Sequence, residues 1–509
     1  MSVVTTGNGY SVSERIAQVM RIDPAADALE FQGRWVTWGR LRELGDAVQG
    51  ILADFGLPPG APIGMLMRNR PGTVAAILSL LTHEQTLVTV SSLQPDAKLA
   101  AELGRLPATV LLAHPDDWAR PGVREAAAAA AGCLAIAIDD TRVEVLEPLR
   151  RDDAADLAMP GTAILMLTSG TTGPPKRVPL TYAGFDAGYA GASHYESGSA
   201  AVRLRDSVAI VMAPLVHVSG IFTLLLNVQA GRKIALLERF AVDEWLELVT
   251  EHRPKAITLP PTALRMVMAA GVEPERLSFA RSVLVGTAPI SVEDQLAWED
   301  RYGIPILVVY GATEFAGGIA GWTLDDHRRF AATKRGSVGR AHPGVELRVT
   351  DEVTAEPLGA GEVGLLEVRA PQLGRRGSQW VRTTDRARLD EDGFLWIVGR
   401  ADDVIIRGGF KVSTGTVAET LKLHPAVRDA GVIGLDDPRL GQVPVAAVEV
   451  APGETVDEAA LKQFARERLT PYQVPVRIHV LDSLPRTAAL KVSGPLLREL
   501  LEPLARQER

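Results

Sequence analysis

AILMLTSGTTGPPKRVPL, residues 163 to 180, sets an apolar run against a loop in which Thr168, Ser169, Gly170, Thr171, Thr172 and Gly173 are all glycine or hydroxyl-bearing, with Lys176 close behind. A short apolar run of this kind reads as a buried strand. Glycines and small hydroxyls let backbone N–H groups and side chains approach phosphate oxygens, and Lys176 adds a positive charge for the same anion. The spacing is not that of the P-loop, GxxxxGK followed by Ser or Thr. Open α/β sheets expose their ligand crevice where strands end, so the stretch predicts a parallel sheet with a binding loop at that end.

The flanking sequence keeps the same rhythm. Upstream, WGRLRELGDAVQGILADFG (38–56) spaces its apolar residues as an amphipathic helix and stops at Gly56. APIGMLM (61–67), TLVTV (86–90) and ATVLLA (108–113) read as buried strands, with RPGTVAAILSLLT (70–82) as a helix between the first two. Downstream, SVAIVMAPL (207–215), KIALLE (233–238), AITLPP (256–261), SVLVG (282–286) and ILVVYG (306–311) are short strands, most of them followed by a helix. From about residue 335 to 400 the strands crowd together between glycine-bearing turns, which predicts an antiparallel unit. After GRADD (399–403) a compact module of about 100 residues follows, a normal domain size. The expected fold class is α/β: a large N-terminal domain (1–400) of parallel α/β sheets plus a small β-barrel-like unit, hinged to a small C-terminal α/β domain (401–509).

Composition excludes several classes. Of 509 residues, 46% are apolar and 23% charged, which rules against extensive disorder. The net charge of −8, with no Lys/Arg block, leaves no footprint for nucleic acid or an anionic membrane. The single cysteine, Cys133, rules out an intrachain disulfide and a cysteine-built metal site. The longest apolar stretch, Ala126 to Ile138, is shorter than the roughly 20 residues a bilayer span needs, and the start carries neither a basic leader nor an apolar signal region. A cytoplasmic monomer or homodimer without an integral membrane segment is expected.

LTSGTTGPPKRVPL (167–180) closely resembles the phosphate-binding signature of the AMP-forming adenylating superfamily, which includes acyl-CoA synthetases, peptide-synthetase adenylation domains and beetle luciferases. The rest of that family's pattern follows in order. PLVHVSG (214–220) is similar to its aromatic-or-histidine segment, VGTAP (285–289) to its adenine-side loop, and YGATE (310–314) to its magnesium and nucleotide motif. WVRTTDRARLDEDGFLWIVGRADDVIIRGGFKVS (380–413) resembles the ribose-binding and hinge segments, and LPRTAALKVSG (484–494) the C-terminal lysine motif. The likeness spans essentially the whole chain.

The resemblance implies ATP, Mg2+ and CoA as reactants or cofactors beside a carboxylic acid. Thr168 to Gly173 and Lys176 would hold the phosphates, with Thr171 also acting in catalysis. Gly286, Thr287, Ala288, Pro289, Tyr310, Gly311 and Thr313 would bind the nucleotide, Tyr310 offering a flat face to adenine. Asp385 would accept from the ribose hydroxyls and Arg400 would donate to the same sugar. Glu314 would hold Mg2+, which shares the negative charge of the triphosphate. Lys491 would stabilise charge that builds as a carboxylate attacks the α-phosphorus. His217, Val218, Gly286, Ala312 and Gly317 would line the acyl pocket. Asp402 matches the hinge about which the small domain turns between half-reactions. Beyond it, Arg407, Gly409 and Lys411 would serve CoA.

Two positions depart from the family's pattern: Leu490 stands where a glycine usually precedes the catalytic lysine, and Thr384 where a glycine precedes the ribose aspartate. Leucine resists positive φ, so a turn that needs it would displace Lys491 or slow adenylation; Thr384 merely adds bulk. PLVHVSG carries no acid to pair with an ammonium, which argues against an amino-acid substrate. The absence of an insertion between YGATE and the hinge and of a carrier-protein segment favours free CoA. GAGEVG (359–364) matches a dinucleotide pattern but precedes a strand, so it reads as a β-turn. The expected function is an ATP-dependent carboxylate:CoA ligase for a fatty or aromatic acid. The alternatives are an acyl-AMP ligase loading a carrier protein and, given Leu490, a binding-only adenylate sensor.

Overall fold

Strands buried along their whole length mark the centre of the first sheet: Pro62–Met67, Val110–Ala113 and Leu134–Ile138 expose no residue to solvent. Such runs belong in a parallel sheet covered on both faces. The computed structural model describes residues 11–507 except 58–59, 109, 130–133, 148–157, 169–175, 193–201, 402–403, 408–409 and 488–489. Among the described residues this sheet runs in the order Val143–Glu147, Leu134–Ile138, Val110–Ala113, Pro62–Met67, Thr86–Ser91, Thr162–Thr168 and Lys176–Thr181. The interior pairs are parallel and the two edge strands antiparallel. Its helical cover is locally encoded. Helix Pro71–Thr82 opens on proline, whose missing N–H costs nothing there, and helix Trp38–Asp54 is capped by Thr37, whose hydroxyl accepts from the Arg40 amide at 3.1 Å.

Strand Thr162–Thr168 thus feeds the phosphate-type loop and returns as Lys176–Thr181, with Thr168 opposite Lys176 in the register. A second sheet orders Arg205–Val211, Arg232–Leu236, Asp27–Phe31 and Arg34–Thr37. A third orders Ala256–Thr258, Ser282–Val285, Ile306–Ala312, Gly317–Gly321 and Arg340–Ala341; its first three strands are parallel, and the chain then doubles back antiparallel after Ala312. Strands Glu346–Thr350, Gly364–Arg369, Val381–Leu389 and Leu395–Arg400 follow as an antiparallel meander. GAGEVG is a turn: the Glu362 amide donates to the Gly359 carbonyl at 3.3 Å, Gly361 has φ +84°, and a strand rather than a helix comes next.

The small C-terminal domain builds its sheet from Val404–Arg407, Phe410–Ser413, Val427–Asp437, Gly441–Val450 and Arg477–Leu481. Helices Thr414–Lys422 and Glu458–Arg466 seal it through a core that includes Val417, Leu421, Leu461 and Ala465. Among the described residues no helix is long and apolar enough to cross a membrane.

Candidate active site

The candidate residues gather where the strands of the third sheet end. Gly286 directly follows strand Ser282–Val285 and lies beside Val309 of the neighbouring strand; a Cβ on it would sit 3.0 Å from the Val309 carbonyl. Gly311 and Ala312 end strand Ile306–Ala312, and Gly318 and Gly317 stand opposite them in the returning strand. No side chain fits at Gly311, where a Cβ would be 2.2 Å from the Gly317 carbonyl. Thr313 and Glu314 occupy the short 3-10 turn between those strands, with the Glu314 carboxylate on an exposed residue. In the loop after Gly286, Thr287 takes φ +69° and is exposed, and Pro289 is exposed with Ala288 half-buried.

His217 enters from the second sheet's side as the N-cap residue of helix Val218–Gln229. One turn on, Phe222 lies against Gly317, whose Cβ would be 2.7 Å from the ring. Phe222 stacks on Tyr189 at 4.6 Å between centroids, and Tyr189 stacks on Phe185 at 5.9 Å. Glycine at 317, with φ +148°, is what lets this aromatic wall reach the strand. Neither Phe222 nor Tyr189 belongs to a motif, so only their shared approach to Gly317 in space identifies them.

Tyr310 and Asp385 join the third sheet to the meander: the phenol donates to Oδ2 of Asp385. Burial first, then the Asp385 carboxylate, push the Tyr310 pKa up, so the phenol stays protonated and donates to the carboxylate. Arg400 stands opposite Asp385 in the antiparallel register, its Nε 3.8 Å from Oδ1. Its Nη2 donates to Thr384 Oγ1 at 2.7 Å. Thr384 is therefore more than added bulk; it orients the arginine that the sequence reading assigned to the sugar.

Lys491 arrives from the C-terminal domain and completes the group. The residue keeps access to solvent, yet protein surrounds its ammonium closely enough that burial, then the Arg400 charge, lower its pKa. On the opposite side, burial and then the Lys491 charge lower the His217 pKa to about 4, which keeps the imidazole neutral. Its Nε2 is buried with no hydrogen-bond partner among the described residues. The turn before Lys491 does need positive φ, and leucine takes it despite its resistance to that conformation. Leu490 adopts φ +61°, and its carbonyl accepts from Thr262 Oγ1 of the large domain at 3.4 Å. A left-handed residue other than glycine costs roughly 1–2 kcal/mol.

Ser169, Gly170, Thr171, Thr172, Gly173, Asp402 and Gly409 lie outside the described residues, as do the side chains of Thr168 and Lys411. Lys176 is exposed at the base of its strand. Arg407 braces the C-terminal domain, donating through Nη1 to the Tyr472 and Val474 carbonyls at 2.8 and 3.0 Å. Val218 opens its helix, half-buried. Away from this group, Glu30, Glu251 and His252 converge, but His252 Nε2 is already hydrogen-bonded to buried Glu30.

Comparison with known proteins adds the following. The sequence profile described as AMP-binding enzyme matches residues 16–376, and that described as AMP-binding enzyme C-terminal domain matches residues 416–491. A 2-succinylbenzoate–CoA ligase of Bacillus velezensis is 30% identical over 509 aligned residues, spanning 95% of this chain and 97% of that protein. The solved structure of an o-succinylbenzoate coenzyme A synthetase from Bacillus subtilis, in complex with ATP and magnesium ion, matches with a TM-score of 0.76 at 25% identity, over 95% of this chain and 99% of the other. An amide bond synthetase from Marinactinospora thermotolerans matches with a TM-score of 0.75 at 28% identity, over 96% and 99%.

Proposed function

The chain belongs to the AMP-binding enzyme family, and from that premise we propose that it is an ATP-dependent carboxylate:CoA ligase working through an acyl-adenylate. A carboxylate oxygen attacks the α-phosphorus of ATP and pyrophosphate departs. The CoA sulfur then attacks the acyl carbon of the mixed anhydride, giving up its proton, and AMP leaves. The first step is needed because a carboxylate resists nucleophiles and lacks a good leaving group.

The observation that carries this reading is the contact between the domains beside Lys491, where the Leu490 carbonyl accepts from Thr262 of the large domain at 3.4 Å. The Lys491 ammonium, brought to the reacting phosphates, would stabilise the charge that develops on the α-phosphate and pyrophosphate in the transition state. Tyr310, Asp385 and Arg400 form a ready-made polar group for the ribose: Asp385 accepts, Arg400 donates, and Tyr310 fixes the carboxylate. The loop Ser169 to Gly173, with Lys176, is assigned to the phosphates. Glu314 fits Mg2+, which takes one or two carboxylates and fills its remaining positions with water and phosphate oxygens. When bound, the ion would spread the negative charge of the triphosphate. Neutral His217 with Val218, Gly286, Ala312 and Gly317 would line the acyl site, and the Phe222–Tyr189 stack beside Gly317 favours an aromatic acid. Asp402 is assigned to the hinge, and Lys411 to the CoA phosphates on the surface that Arg407 braces.

Likeness to an amide bond synthetase over nearly the whole chain supports a second acceptor, an amine attacking the same acyl-adenylate. One experiment tests both readings: acid-dependent pyrophosphate release over a panel of aromatic and aliphatic acids, followed by product analysis with CoA, a phosphopantetheinylated carrier or a simple amine. Thioester formation on free CoA with an aromatic acid is expected. Sole use of the carrier or the amine would reassign the acceptor, and nucleotide binding without turnover would make the chain a sensor.

A further inference from the structure

We infer that Arg486 is a positioning residue for Lys491, acting through the Leu490 carbonyl to hold the lysine turn against the large domain. The inference rests on the adenylate-forming reading above. The turn itself is a narrow hairpin: Arg486 bridges to Val492, the Thr487 amide donates to the Lys491 carbonyl at 2.7 Å, the Leu490 amide to the Thr487 carbonyl at 2.9 Å, and the Ser493 amide to the Pro485 carbonyl at 2.8 Å. Lys491 therefore follows a residue in the left-handed region that leucine disfavours, so something beyond the hairpin's own backbone hydrogen bonds has to hold the turn.

Arg486 is placed to do so. Its Nη1 donates to Asp429 Oδ2 at 2.7 Å and to the Leu490 carbonyl at 3.2 Å, while Nη2 donates to Glu449 Oε2 at 2.9 Å. Asp429 and Glu449 face each other across neighbouring strands of the C-terminal sheet, and both are buried. Lys422 at 3.2 Å from Asp429 and Arg428 at 3.0 Å from Glu449 fix those carboxylates in turn. The guanidinium so ties the hairpin to a rigid sheet, using a planar fork that a lysine ammonium cannot reproduce. The same Leu490 carbonyl accepts from Thr262, near the start of helix Pro261–Ala269 of the large domain; one turn on, Arg265 pairs with Asp294 at 2.9 Å. One carbonyl, adjacent to Lys491, is thus held from both domains.

The test compares wild type, Arg486→Lys, Leu490→Gly and the double variant. Arg486→Lys keeps the positive charge over the buried carboxylates but loses the fork. Acid-dependent pyrophosphate release should fall at least tenfold in kcat with KM for ATP and acid within about twofold, while thioester formation from supplied acyl-AMP is retained. Glycine takes the left-handed turn unaided, so the double variant should recover much of the loss. Amide exchange at Thr487 and Leu490 should quicken in Arg486→Lys alone, a readout independent of turnover. Unchanged adenylation, equal loss of both half-reactions, or simple multiplication of the two single effects would overturn the inference. If Arg486→Lys fails to fold, Thr262→Val decides instead: a several-fold loss of adenylation without a change in melting temperature supports the shared carbonyl, and no loss overturns it. Absence of turnover in wild type would sink the functional reading, whereas wild-type turnover with an indifferent Arg486→Lys would sink this inference alone.

Discussion

The Tyr310 hydroxyl donates to Oδ2 of Asp385, tying the strand that ends in Gly311 and Ala312 to the meander strand that faces Arg400. The phenol orients the carboxylate, with Arg400 Nε 3.8 Å from its other oxygen.

Removing the phenol's proton tests this orientation. A hydrogen bond to a charged group contributes about 1.5–3 kcal/mol, and 1.4 kcal/mol is tenfold in an equilibrium constant. Tyr310→Phe should therefore raise KM for ATP by roughly tenfold, leaving KM for the acid near its original value. Steady-state kinetics with each substrate varied in turn checks it; an equal rise in both constants would point to general damage.

His217 gives a pH signature. Its imidazole stays neutral in the fold down to about pH 4, whereas in the unfolded chain it takes up a proton near its ordinary value. Between those limits the unfolded chain binds the extra proton, so the stability contributed here is full above the ordinary value and is lost as pH falls through that window. The loss approaches roughly 3 kcal/mol at the acid end, at about 1.4 kcal/mol per pH unit. Urea melts of wild type and His217→Gln at pH 7 and pH 5 should show the gap between them shift by about 2 kcal/mol in favour of the variant at pH 5. A gap that does not depend on pH would show that His217 is not held neutral.

Lys491 sets an alkaline limit. Adenylation needs its ammonium, and burial together with the Arg400 charge lowers its pKa from the usual lysine value. Pyrophosphate release should decline at high pH as that proton is lost, and Arg400→Gln should move the decline to higher pH. An unmoved alkaline limb would separate the two residues.

Leu490 is a strain site. Glycine would relieve a left-handed cost of roughly 1–2 kcal/mol but loses about 0.5–1 kcal/mol through greater freedom in the unfolded chain. Leu490→Gly should leave stability within about 1 kcal/mol of wild type by denaturant melts. Leu490→Val, branched at Cβ and still less able to hold φ +61°, should lose adenylation by tenfold or more.

The parts of the site legible in the sequence are those that chain order places at the ends of strands. Gly286 and Tyr310 to Glu314 follow or end an apolar run, and a strand end is where an α/β sheet presents its ligands, whereas Asp385 sits inside strand Val381–Leu389 and was marked only by the family resemblance. The two helices and three strands read between residues 38 and 113 fall where their periodicity places them, because local capping and burial agree there with the global fold, while helix Asp96–Leu103 went unread. What stayed hidden depends on distance in the chain. Thr262 and Leu490 are separated by 228 positions, and Arg486 meets Asp429 and Glu449 over 57 and 37. No periodicity or motif records such pairings. Phe222 belongs to no motif, and only the approach of Gly317 to its ring marks it. The Leu490 turn misled for the opposite reason: local propensity argued against a conformation that contacts from both domains impose.

The most direct measurement of the central claim is the pair of half-reactions in Lys491→Ala. Acid-dependent pyrophosphate release from ATP should be abolished, while thioester formation from supplied acyl-AMP and CoA continues at close to the wild-type rate. Undiminished pyrophosphate release, or equal loss of both steps, would contradict a chain that activates its acid with a lysine carried in from the second domain.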